Sequence, residues 1–140
     1  MQDLSASDYQ ALSDLRCEIR KFLHFSEEAA RKEGLKPQQH QMLLAIEALA
    51  ENDGPTVGRL ATHLLISHHS AVGLLDRLEE RRFIKRVRAR DGDRRQVSIH
   101  LTREGEAKLK HLARVHRAEL RTSGPDLVRA LQAYSRRRNE

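Results

Sequence analysis

The residues able to do chemistry in this chain are eight histidines, a single cysteine and a dense run of arginines. Six of the histidines, His24, His40, His63, His100, His111 and His116, are candidate metal ligands by type. Protein metal sites, however, gather such ligands with cysteines or carboxylates at short, regular spacings, and the sequence has no such signature. Neither a metal nor another cofactor is therefore expected. Cys17, the only cysteine, has no partner for an intramolecular disulfide. Catalysis would need a paired nucleophile and base or a glycine-rich phosphate loop. Neither is present in the required context, so the chain reads as something other than an enzyme. The arginines form the strongest signal. Between Arg81 and Arg95 stand Arg81, Arg82, Lys85, Arg86, Arg88, Arg90, Arg94 and Arg95, against only Asp91 and Asp93. This local excess equals the formal +6 of the whole chain, and charge so concentrated suits an anionic partner.

The elements that must carry these residues follow from composition and periodicity. A chain of 140 residues has the size of one domain. With 39% apolar but only 4% aromatic residues, its interior must come from aliphatic side chains, which favours helices. There is no apolar run of the ~18 residues a membrane span needs and no N-terminal signal segment, so a cytoplasmic protein with no membrane partner is expected.

Ser7 and Gln10 have the spacing of a capping box, and Leu12, Leu15, Ile19, Phe22 and Leu23 recur at helical spacing until Gly34. Pro37 opens a second helix through Met42, Leu43, Ile46 and Leu49, ended by Asn52, Asp53, Gly54 and Pro55. Thr56 caps a two-turn helix, and Ser67 leads after a tight turn into another that reaches Arg81. In the latter, Val72, Leu75 and Leu78 make one apolar stripe and leave Ser67, His69, Ser70, Gly73 and Arg77 facing away. Phe83–Ala89 and Gln96–Leu101 read as strands around a turn at Arg90–Asp93. Thr102 caps a long helix, and Gly124 with Pro125 is expected to separate it from a last helix carrying Leu127, Val128, Leu131 and Tyr134.

Helix, tight turn, helix with a polar outer face, then a basic hairpin is the layout of a winged helix-turn-helix. A helix of this kind fits the major groove of DNA and offers short polar side chains to base edges, while the hairpin's basic residues meet phosphates or the minor groove. Two stretches carry a resemblance to the MarR family of regulators: TVGRLATHLLISHHSAVGLLDRLEERRFIKRV from Thr56 to Val87, and DGDRRQVSIHLTREGEAKL from Asp91 to Leu109. The second is the more specific, with Asp-x-Arg at the wing followed by an alternating strand and Leu-Thr-x-x-Gly opening a helix.

The resemblance implies that Asp93 orients Arg95 toward a minor groove and that Arg94 and Arg90 contact phosphates. It also implies that Ser67, His69, Ser70 and Gly73 take base-facing or backbone-approaching positions in the major groove and that Arg77 meets a phosphate, and His68 with His69 is expected to face DNA. Gly73 stands where the family commonly has a larger polar residue, which shifts specificity toward the histidines, water and DNA shape. Arg82 stands where the family usually has glycine; left-handed backbone there would cost about 1 kcal/mol. Lys36 replaces a capping Ser or Thr, so the second helix is expected to fray more readily.

The expected fold is mainly α with a small β-wing. Residues 1–35 and 102–140 would form dimerisation helices, and 36–101 the DNA-binding lobe, with the wing at about 83–101. The resemblance further implies a homodimer that binds a pseudo-palindromic duplex operator, repression in the sense of blocking polymerase, and release by a small anionic or phenolic effector. The cleft for that effector would be walled by Phe22, Phe25, Ser26, His40 and Leu44. Two alternatives stand beside this: a winged-helix module that docks proteins, and a thiol-based redox sensor using Cys17, whose apolar neighbours otherwise suit a small core residue. Replacing Arg95→Ala is expected to lower duplex affinity without changing folding, as checked by titration at fixed salt beside a thermal melt.

Overall fold

A computed structural model describes residues 3–88 and 97–136. The expected DNA-contacting residues Arg90, Asp93, Arg94 and Arg95 lie outside the described residues. The described elements run α1 (Ala6–Lys32), α2 (Pro37–Ala48), α3 (Val57–Leu64), α4 (His68–Glu80), β1 (Ile84–Arg88), β2 (Val97–Leu101) and α5 (Arg103–Ser135). The chain divides into two compact units, Ala30–Leu112 and Met1–Ala29 with Ala113–Glu140. Among the described residues, no helix is long and apolar enough to cross a membrane.

The unit Ala30–Leu112 holds the main core. Leu35 and α2 residues Met42, Leu43 and Ile46 pack there with Leu60 of α3, Leu75 and Leu78 of α4, and Ile99 of β2, all fully buried. The two strands pair antiparallel with Ile84 opposite Leu101 and Arg86 opposite Ile99. The outer edge of β2 is used as well, because the Ile99 amide donates to the Pro55 carbonyl at 2.9 Å. That close approach requires Gly54 (φ +95°), since a Cβ there would lie 3.0 Å from the Ile99 carbonyl oxygen. The turn between α2 and α3 thereby anchors the base of the hairpin.

The other unit is thinly packed. Among its described residues only Ala11 and Ala29 are buried, while Leu12, Ile19 and Leu23 of α1 and Val128 and Leu131 of α5 remain exposed. It also holds a polar and aromatic cluster: Ser26 Oγ lies 2.8 Å from His116 Nε2, and Phe22 and Phe25 meet the His116 ring edge-on.

Three sequence expectations are corrected here. The cap of α1 is Ser5, which exchanges hydrogen bonds with Asp8, rather than Ser7 with Gln10. The buried stripe of α4 is Ala71, Leu74, Leu75 and Leu78, with Val72 only half-buried. Gly124 and Pro125 do not end a helix, for α5 runs through them. Proline's fixed φ is already helical, and the residue before it is normally driven out of the helical region by a clash that involves its Cβ. Gly124 has no Cβ, so the helix gives up one hydrogen bond without breaking.

At the end of α4 Arg82 does take the left-handed backbone that glycine would favour. The Arg82 amide donates to the Glu79 carbonyl at 2.9 Å and the Phe83 amide to Leu78 at 3.0 Å, with Arg82 at φ +64°. This is the paired hydrogen-bond pattern in which a helix turns out through a left-handed residue, and Phe83 and Leu78 are both buried. Arg82→Gly removes the Cβ strain and is expected to stabilise the fold by about 1 kcal/mol, visible as a melting temperature higher by about 3–5 °C.

Candidate nucleic-acid interface

The helix pair α3–α4 is built by its caps. Thr56 Oγ1 accepts from the Arg59 amide at 3.3 Å, and Ser67 Oγ accepts from the Ser70 amide at 3.0 Å. Between the helices Leu65 takes left-handed φ +57° and lets the Ile66 amide reach back to the Ala61 carbonyl at 3.1 Å. That turn was legible only as short; a leucine, 92% exposed in a conformation that favours glycine, gave no signal of it.

With Ala71, Leu74, Leu75 and Leu78 committed to the core, the remaining faces of α4 are open. Ser67, His68, His69, Ser70 and Arg77 are all exposed, and Gly73 is half-exposed. A Cβ added at Gly73 would meet nothing within 4 Å. The structure thus brings together all six of the expected α4 residues on open surface. Ser67 and Ser70 are also hydroxyl partners at 2.9 Å, so part of their hydrogen-bonding capacity is spent in holding the helix start.

The basic run divides into two populations. Lys85 and Arg88 on β1 are exposed. Arg81 is exposed too but is engaged within the fold: its Nη1 donates to Gln39 Oε1 at 3.1 Å and its guanidinium lies 4.9 Å from the Phe83 ring centroid. The same Gln39 oxygen accepts from the Lys36 amide at 3.0 Å. This supplies from the third helical residue a bond that the missing Ser or Thr cap at Lys36 does not.

Arg86 is likewise engaged within the fold. Its Nη1 donates to Glu79 Oε1 and its Nη2 to Asp76 Oδ1, each at 2.8 Å. Partial burial works against its charge, but the hydrogen bonds and Coulombic attraction of the two carboxylates outweigh it and raise the pKa above the ordinary arginine value. Sequence reading missed Asp76 and Glu79. The available signal was that Arg86, two residues beyond the buried Ile84, must share its face of the strand.

The expected effector residues fall into separate settings. Phe22, Phe25 and Ser26 converge on His116, whereas His40 is buried in α2 and Leu44 is exposed. Cys17 is exposed rather than a core residue. It lines a groove of about 490 Å³ with Asp14, Glu18 and Lys21 of α1 and Asp126 and Arg129 of α5. Helix α1 leaves it outside because the stripe that packs inward passes through Ala11 and half-buried Leu15, Glu18 and Phe22. Among the described residues, no three metal-ligating side chains are grouped as a metal site requires.

Because Gly73 is a helical position with free space beyond it, Gly73→Ala is expected to raise stability by about 1 kcal/mol. A thermal melt of the variant checks this, and an unchanged or lower midpoint would contradict the open geometry.

Residues 33–96 match the model of the MarR family. No sequence among curated proteins matches the chain. Solved structures share its fold. AbsC, a MarR family transcriptional regulator from Streptomyces coelicolor, is 23% identical, with a TM-score of 0.72 over 91% of this chain and 84% of its own. A MarR family protein from Bacillus stearothermophilus is 24% identical, with a TM-score of 0.67 over 84% and 80%. The MepR–DNA complex from S. aureus gives 20% identity and a TM-score of 0.63 over 86% and 82%. Residues 33–96 are thus similar to the MarR family, and the chain as a whole shares the winged helix-turn-helix fold of these solved structures.

Proposed function

We propose that this protein is a homodimeric regulator that binds a pseudo-palindromic duplex operator and represses transcription from it. The observation that carries this reading is the open surface of α4 and its N-cap: six small or polar residues that the core does not use, beside a strand that exposes Lys85 and Arg88. Such a helix, entering a major groove, presents hydroxyls and imidazoles to base edges, and the basic strand adds sequence-independent attraction to phosphates. The solved relative MepR, captured with DNA, supports the same use of the fold.

Dimerisation is supported by the thin unit formed by the two ends of the chain. Leu12, Ile19 and Leu23 recur along one side of α1 and are all exposed. Apolar surface of this kind is stabilised when a second copy covers it. A two-fold pair places its α4 helices on successive major grooves, about 34 Å apart. An anionic or phenolic effector releases the DNA by binding better to a dimer whose helices are wrongly spaced, and the Phe22, Phe25, Ser26 and His116 cluster supplies aromatic edges and polar atoms of the kind such a ligand uses.

Fluorescence anisotropy with labelled duplex, repeated over a salt series, tests the proposal. The logarithm of affinity is expected to fall by about 0.9 per logarithmic unit of salt for each phosphate neutralised, so several arginine and lysine contacts give a steep slope. Sedimentation should show a dimer. A monomer that ignores duplex DNA at low salt would overturn the reading, and a shallow slope would favour a protein-docking module instead.

A further inference from the structure

We propose that Arg86 is a positioning residue for DNA recognition, fastening the basic hairpin to the recognition helix through Asp76 and Glu79. The inference rests on the functional reading above and adds how the two DNA-contacting parts are held together. Helix α4 and strand β1 are joined in sequence by the left-handed turn at Arg82, and the base of the hairpin is tied by Thr102, whose Oγ1 donates to the Arg82 carbonyl at 2.7 Å. Those ties fix the start of β1. Further along the strand, among the described residues, the ion-paired link back to α4 is the Arg86 fork, with two oxygens each at 2.8 Å. Arg86 is paired with Ile99, which is fully buried, so its side chain leaves the sheet on the face that looks toward the core and α4.

The position of the two acids explains why a fork is needed. At about 100° per residue, Asp76 falls about 20° from His69 on the helix circumference, at the border of the open face. Glu79 lies about 60° beyond it, away from Ser70 and Arg77. Two carboxylates there would repel a phosphate backbone and leave the strand untethered. One guanidinium with donors in a rigid fork engages both, and it sets the strand leading to Arg88 at a fixed distance from the groove-facing side chains. A lysine has one point donor and cannot hold both acids in the same geometry.

Charge and positioning make opposite predictions for the acid pair, which gives a decisive variant. Asp76→Ala with Glu79→Ala removes two negative charges and no positive one, so charge alone predicts tighter binding to DNA. Positioning predicts the reverse. With mixed-sequence duplex of about three helical turns as the probe, affinity at fixed salt is expected to fall about tenfold, and the salt slope to shrink by about 0.9 for each phosphate that is no longer neutralised. Arg86→Met is expected to show the same shallower slope, with Arg86→Lys intermediate. If Arg86→Met does not fold, the alanine pair carries the test alone, since both of its sites are exposed helical positions where alanine is favourable. Unchanged or tighter binding by the alanine pair, with a wild-type salt slope, overturns the proposal while leaving the functional reading intact. Wild-type protein that ignores duplex at low salt overturns both.

Discussion

The burial of Ala71, Leu74, Leu75 and Leu78 is the interaction on which the rest of the geometry depends. A helix of thirteen residues has little stability alone in water, so α4 exists because one side of it is locked among Met42, Leu43, Ile46, Leu60 and Ile99. Full burial of one leucine contributes about 2 kcal/mol, and Leu75 and Leu78 are both inaccessible. Once that side is fixed, the orientation of the other follows without further choice: Ser70, Gly73 and Arg77 must face outward. The outward face can therefore be chosen for hydrogen bonding and close approach, because it contributes nothing to the core.

The turns around α4 are made from residues poorly suited to them. Leu65 and Arg82 both hold positive φ at positions where glycine has the lower energy. Each is retained by surrounding structure that leaves no alternative: the Ile66 amide bonded to Ala61 in one case, and the Phe83 amide bonded to Leu78 in the other. Strain of order 1 kcal/mol at each place is small beside the apolar burial that fixes the helix ends. The same logic applies at Pro125, where a helix thirty-three residues long absorbs the absence of one hydrogen bond.

Electrostatics sorts the basic residues by how much water they retain. Arg86 gives up part of its hydration and recovers it from two carboxylates, while Arg81 stays exposed although an amide oxygen and an aromatic face hold it. Lys85 and Arg88 keep their water and remain available. The net charge of a sequence segment is thus a poor count of the charges offered to a partner, since a guanidinium held in a fork between acids contributes rigidity in place of long-range attraction.

Much of the fold was legible because period and punctuation are local properties. Thr56 and Ser67 announce the starts of α3 and α4, alternation at Val97, Ile99 and Leu101 gives β2, and Leu-Thr-x-x-Gly marks where that strand hands over to α5. The continuity of α5 was not legible, because a proline signals a stop by its chemistry and only the absence of a Cβ on Gly124 lets the helix pass. Nor was the exposure of Cys17, since an amphipathic pattern says which residues share a side and not how deeply a neighbour covers them. By itself the sequence determined most of the elements and which of their residues are polar or basic. Only the tertiary structure decided which arginines are free, because the pairing of Arg86 with Asp76 and Glu79 depends on a strand folding back beside a helix, a distance that no local pattern encodes.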